Sequence, residues 1–252
     1  MPLRIAFDLD GVLADMDGEL VRHAEALFGE AAARRLPERD PASDVTPPGG
    51  IDAAKPDPPA DMPLDNAPRL QQLQLSARQV RRLWRHAQAI EGFWESLKEL
   101  EPGVIPRLAA IAADRRWEII FLTRRPESAG ATSQVQSQRW LEAKGFRLPS
   151  VYVVQGSRGR IAAALNLDFV IDDRPENCFD VVTDSRARAI LVWRDDENAL
   201  PAAARRLGIG VVSTVAECLD ILTQVDAPAT DQTSVVDRVK RLLGLKSEAS
   251  AV

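Results

Sequence analysis

The chain has 252 residues, of which 45% are hydrophobic and 27% charged, a size and mixture that suit one sizeable globular domain or a domain carrying an insertion. A net charge of −5 speaks against a general nucleic-acid coat or polymer partner, while leaving room for a small anionic substrate in a local basic pocket. Two cysteines, Cys178 and Cys218, form no disulfide framework or metal-like spacing, and no apolar run approaches a membrane span, so a cytoplasmic protein without a membrane partner is expected.

In chain order, Arg4-Ile5-Ala6-Phe7 reads as a buried strand running directly into Asp8-Leu9-Asp10-Gly11. From Asp15 to Arg35, residues Leu20, Ala24, Leu27, Phe28 and Ala31 recur at helical spacing. Residues 37–68 hold nine of the seventeen prolines and no periodicity, as an extended loop would. A second amphipathic helix is predicted over Ser76–Glu91, with Ser76 as its cap. Residues 15–100 thus read as a helical cap inserted into a core made of residues 1–14 and 101–225.

Past Pro102-Gly103, a helix is predicted over Ile105–Ala113, followed by a strand over Glu118–Leu122 that ends at Thr123-Arg124-Arg125. A helix over Ser133–Lys144 is stopped by Gly145. The next strand, Val151–Val154, leads into Gln155-Gly156-Ser157-Arg158-Gly159-Arg160 and a short helix over Ile161–Leu165. The strand Asp168–Ile171 ends at Asp172-Asp173. Strands over Ala189–Trp193 and Gly210–Val212 and a helix over Val215–Leu222 close the core, and residues 226–252 read as a polar linker with a terminal amphipathic helix. Alternating strands and helices imply an α/β protein with a doubly wound parallel sheet.

In such a sheet ligands bind past the carboxyl ends of the strands. There, Asp8 and Asp10 are candidates for Mg²⁺ binding and for nucleophilic attack on phosphorus. Taken alone, each feature also has a plainer reading. Asp-x-Asp-Gly makes turns, Thr123 caps helices, adjacent aspartates occur in solvated turns, and Arg158 and Arg160 fit a solvated loop.

Taken in order, the motifs resemble the haloacid-dehalogenase-like (HAD) superfamily: Phe7-Asp8-Leu9-Asp10-Gly11-Val12-Leu13, then Phe121-Leu122-Thr123, then Ile171-Asp172-Asp173-Arg174-Pro175. The last form, together with Trp84, Phe93-Trp94, Leu100-Glu101-Pro102-Gly103 and Trp140, resembles the 5′(3′)-deoxyribonucleotidase branch. The resemblance implies a Rossmann-like core and a Mg²⁺-dependent phosphatase of a small phosphorylated substrate. Asp8 is then the nucleophile, Asp10 the general acid and base, and Thr123 a donor to the phosphoryl group. Asp172 and Asp173 become metal ligands beside Asp8 and the Asp10 carbonyl. The superfamily's lysine is missing, since no lysine lies between Lys144 and Lys240. Arg160, then Arg158, are the candidates to replace it. For substrate contact, the candidates are one of Arg124 and Arg125 near the phosphate, Arg124 first, and Phe93 and Trp94 for stacking on a base, although a helix anchor explains the two aromatics equally well. Two further readings stay open: a phosphatase of another small metabolite, and a HAD-like binding or regulatory protein with little turnover. Oligomeric state is left undetermined.

Overall fold

The computed structural model describes residues 2–29 and 68–226. The end of the first predicted helix, the proline-rich segment up to residue 67, and the linker and helix expected beyond residue 226 lie outside the described residues.

Six strands form one parallel sheet among the described residues: β1 (Arg4–Asp8), β2 (Glu118–Thr123), β3 (Ser150–Val153), β4 (Phe169–Asp172), β5 (Arg188–Val192) and β6 (Gly210–Val212). Their order is β3-β2-β1-β4-β5-β6. The chain winds outward one way from β1 through β2 to β3, then returns to β4 and winds the other way. The order therefore reverses between β1 and β4, where an open α/β sheet leaves a crevice for ligands. The pairing Phe7↔Ile171 sets the strand ends at Asp8 and Asp172 side by side.

Strand residues alternate between two hydrophobic clusters, one on each face. Ile5, Phe7, Phe121, Phe169 and Ile171 enter one, while Ala6, Ile120, Leu122, Val170 and Leu191 enter the other. Helices cover both faces, as the near-continuous apolar strands require. On the chain between β1 and β2 lie α1 (Met16–Phe28), α2 (Pro68–Gln72), α3 (Ala77–Ala89), a single 3₁₀ turn (Phe93–Glu95) and α4 (Val104–Arg115). Ser76 caps α3 in a reciprocal capping box with Gln79. Leu20, Leu83, Trp84, Phe93 and Trp94 of this insertion join the same cluster as Ile5 and Phe7. The helical insertion thus shares the core of the sheet instead of closing on a core of its own.

The remaining helices are α5 (Ser133–Ala143), α6 (Arg158–Ala164), α7 (Pro175–Asp184), α8 (Ala202–Arg206) and α9 (Val215–Val225). Three differ from expectation, the short α8 among them, since no helix is predicted between the strands Ala189–Trp193 and Gly210–Val212. Helix α6 starts three residues before the predicted Ile161, because the Ser157 side chain accepts from the Arg160 N–H and caps it. Helix α7 has no counterpart in the predicted elements. Pro175 at its first turn supplies the preset φ and lacks an N–H that would go unpaired there. No helix among the described residues is long and apolar enough to cross a membrane.

Candidate active site

The site grows from the reversal point of the sheet. Asp8 ends β1 and Asp172 ends β4, each carried to the sheet edge by a strand buried on both faces. Beyond Asp8 the chain turns at once: the N–H groups of Leu13 and Ala14 both donate to Leu9 C=O, at 2.9 and 2.7 Å. Gly11 takes φ = 83°, and a Cβ there would overlap the Asp173 carboxylate. This residue must be glycine for two reasons, backbone conformation and room. Arg194 braces the turn by donating to Gly11 C=O at 2.5 Å and to Val12 C=O at 3.2 Å.

Four carboxylates gather there: Asp8, Asp10, Asp172 and Asp173. Arg158 Nη2 donates to Asp8 Oδ1 at 2.6 Å, and its Nε stands 3.7 Å from Asp172 Oδ2. Asn177 Nδ2 donates to both Asp172 oxygens at 3.0 Å, and the Arg174 N–H donates to Oδ1 at 2.9 Å. Asp10 is held separately: Arg125 Nη2 reaches Oδ1 at 2.7 Å, Arg125 Nε reaches Oδ2 at 2.9 Å, and Thr123 Oγ1 donates to Oδ2 at 3.0 Å.

Burial first, and then repulsion from Asp172, push the Asp8 carboxyl well above the usual carboxylate range, with Arg158 pulling the other way. Burial and Asp172 raise Asp173 well above its ordinary value too. Asp172 itself is raised by burial, against the lowering pull of Arg158 and Asn177. Asp173 Oδ1 and Arg158 Nη1 are buried without a partner among the described residues. One acceptor and one donor are thus left over beside crowded negative charge. An all-oxygen set with surplus negative charge and an orphaned carboxylate oxygen fits a hard divalent cation. Among the described residues, however, no three acidic, histidine or cysteine side chains are drawn in around one point as a finished cage.

A cavity of about 40 Å³ opens on this cluster, walled by Asp8, Asp10, Arg124, Arg158, Arg174 and Asn177 among others. Next to it, across Arg174, lies a wider cleft of about 720 Å³ bounded by Gly11, Asp15, Asp173, Trp193 and Arg194. The small cavity has the scale of a single anionic group, and the cleft has room for the rest of a ligand.

Of the residues singled out from the sequence, the structure brings Asp8, Asp10, Thr123, Arg158, Asp172 and Asp173 together. Arg124 walls the cavity and donates through Nε to Gln155 Oε1 at 3.3 Å. Three expectations are corrected. Arg160, the first choice to replace the family's lysine, is exposed on α6, and Arg158 makes the contact to Asp8. Phe93 and Trp94 are only 0% and 1% exposed and so offer no face to a substrate. Trp94 Nε1 donates instead to Pro126 C=O at 3.1 Å, and the two rings meet edge-on, anchoring the 3₁₀ turn. Thr123, expected as a donor to the phosphoryl group, gives its hydroxyl proton to the Asp10 carboxylate instead, beside the Arg125 fork. Asn177 is a site residue that the sequence reading did not select, and Arg125, weighed with Arg124 for substrate contact, binds Asp10 instead. Asn177 was findable: it lies five residues after Asp172, in the first turn of a helix opened by Pro175.

No protein-family model and no curated protein matches this chain. Solved structures do. A HAD family hydrolase from Deinococcus radiodurans R1, solved with bound phosphate and sodium, superposes with a TM-score of 0.51 at 16% identity, covering 88% of this chain and 96% of that one. A haloacid dehalogenase-like family hydrolase from Xanthomonas campestris matches at TM-score 0.48 and 18% identity, over 90% of this chain and 96% of its own. At such identities the likeness is one of fold. The described chain has the α/β, Rossmann-like fold of the HAD hydrolases, with its acidic cluster at the point where the strand order reverses.

Proposed function

We propose that the protein is a HAD-type phosphomonoester hydrolase that works with Mg²⁺ through an aspartyl-phosphate on Asp8. The observation that carries this reading is Arg158. Its buried guanidinium holds the proposed nucleophile with one nitrogen and keeps a second, Nη1, unpaired, and the residue walls a cavity sized for one anionic group. An unpaired buried donor is costly, and a phosphoryl oxygen would satisfy it.

Asp8, Asp172 and Asp173, with the Asp10 carbonyl, are the residues that would hold the cation. Its contribution is to offset the repulsion between the carboxylates and a phosphate dianion. The chain's own residues do the rest. Arg158 orients the phosphoryl group, with Arg124 at the rim, while Thr123 holds Asp10. An Asp8 oxygen forms a bond to phosphorus as the ester P–O bond breaks, and the leaving oxygen takes a proton from Asp10. Water then attacks phosphorus and gives its proton to Asp10, and the Asp8–phosphorus bond breaks to release inorganic phosphate.

The substrate is a small phosphomonoester whose leaving group lies in the wider cleft. The (deoxy)nucleoside monophosphates are the first class to test, and other metabolite phosphates follow. Base stacking on Trp94 has no part in this reading. The wild type and Asp8→Asn are compared with Mg²⁺ on an aryl phosphate and a panel of metabolite phosphates. We expect turnover from the wild type and a loss of about 10³-fold or more in the variant. Equal background rates for the two would replace the hydrolase reading with that of a HAD-like binding protein.

A further inference from the structure

Arg125 has no role in the reading above, yet it is one of the most completely satisfied charges in the protein. Its side chain is 0% exposed. A guanidinium at that depth is costly unless its donors are met and its charge is paired. Nη1 donates to Ser137 Oγ at 2.9 Å, Nη2 to Asp10 Oδ1 at 2.7 Å, and Nε to Asp10 Oδ2 at 2.9 Å. Aromatic rings flank its plane, Trp94 at 4.9 Å and Trp140 at 6.0 Å from the guanidinium carbon. The flanking groups are themselves fixed. Trp140 Nε1 donates to Leu97 C=O at 2.7 Å, Trp94 Nε1 is held by Pro126, and Ser137 Oγ donates to Ser133 C=O at 2.6 Å. The fork is thus anchored in α5, the 3₁₀ turn and the segment after β2, of which only the last, through Arg124, supplies another group to the cavity wall. All of this rigidity is directed at one carboxylate, and that carboxylate walls the cavity.

We infer that Arg125 is a positioning residue for the reaction: it fixes both oxygens of Asp10 relative to the end of β1 and acts on turnover through Asp10. The inference rests on Asp10 being the acid–base group of the proposed hydrolase. A carboxylate past a strand end has two free torsions. Two donors on a rigid plane, with Thr123 on the same Oδ2, remove both. Misplacing such a group by an ångström costs roughly 10²-fold in rate.

A mutant cycle separates positioning from plain structural support. Arg125→Met fills the gap between the indoles without charge. It is made alone and with Asp10→Asn, and the folded fraction of each protein is measured by circular dichroism. Single-turnover release of the alcohol or phenol, which reports the first half-reaction, is then followed for an alkyl and an aryl phosphate. The alkyl ester needs a proton for its leaving oxygen; an acidic phenol does not. Asp10→Asn is expected to slow the alkyl ester by about 10²–10⁴-fold. Arg125→Met should slow it by about tenfold or more and the aryl ester much less, and in the Asp10→Asn background it should change the alkyl rate by under about twofold.

The same fold-loss in both backgrounds, or equal losses on the two esters, would overturn the inference and leave the hydrolase reading intact. A wild type no faster than Asp8→Asn would remove both. Should Arg125→Met not fold, Arg125→Lys, which keeps the charge and loses the planar fork, enters the same cycle under the same criteria.

Discussion

Arg158 and Arg160 stand two positions apart and have opposite surroundings. Both lie on α6, where consecutive residues turn by about 100°, so the two side chains leave the helix on nearly opposite sides. Arg158 is buried against Asp8, and Arg160 is exposed. The sequence reading starts the helix only at Ile161, which leaves Gly-Ser-Arg-Gly-Arg outside it, where spacing says nothing about direction. Placing the helix start at Ser157 would have separated them. Arg158→Ala is expected to lower kcat/KM by about 10²–10³-fold, the usual cost of one charge-stabilising donor. Arg158→Lys, with charge but no second nitrogen for the phosphoryl group, should fall between that and the wild type. Arg160→Ala should stay within about twofold, as surface substitutions do. Steady-state kinetics on an aryl phosphate decides, and a larger loss at Arg160 than at Arg158 would reverse the assignment.

At the scale of elements, the site depends on how closely α6 lies on α7. A Cβ built at Gly159 would overlap the Asp180 carbonyl of α7 and crowd Asp184. Gly159 therefore sets the distance between the helix carrying Arg158 and the helix carrying Asn177, and so the width of the cavity. Gly159→Ala should cost about 1–3 kcal/mol in stability, as overpacking does. It should also raise KM, because parting the two helices displaces Arg158 and Asn177 relative to each other across the cavity they wall. A thermal melt and a KM measured together check this; a variant with unchanged stability would show that the helices are free to part. The strands around this site were legible because each is a short apolar run ending on a polar residue, and their polar ends gave the cluster. Helix α7 was not, since Asp172-Asp173-Arg174 reads as the end of a strand and masks the start of a helix at Pro175. Nor was the sharing of one core by the insertion and the sheet, because periodicity shows that a helix has an apolar face and not what that face meets. The burial of Arg125 was hidden for a related reason: an arginine gives no sign in sequence of being buried, and only the tertiary contact between α5 and the 3₁₀ turn makes it so.

For the whole molecule, the acidic cluster sets site chemistry against stability. In the unfolded chain Asp8, Asp172 and Asp173 ionise near the ordinary aspartate value of about 3.9. In the fold all three are raised, by burial first. The native state then holds more protons than the unfolded state from that value up to the raised folded values. Stability from these groups is full below the unfolded pKa and is lost as pH rises through the folded ones. Other groups pull differently. His23, packed against Glu19, Arg22 and His86, is lowered by burial and so loses stability on the acid side, and Glu19 is lowered by Arg22. Comparing Asp173→Asn with the wild type cancels those contributions. Asp173 is the informative choice because its Oδ1 is buried without a partner. In a chelator the variant should melt higher than the wild type near neutral pH, by about 2–4 °C for each kcal/mol of relief in a chain of this size. The gap should narrow as pH falls and close below the unfolded value of about 3.9, where the wild-type carboxyl is protonated in both states. Adding Mg²⁺ should raise the melting temperature of the wild type more than that of the variant, because the cation relieves the repulsion that the substitution has already reduced. A gap that does not change with pH would mean that the strain at Asp173 is not electrostatic, and the reading of the cluster as charge assembled for a cation would lose its thermodynamic support.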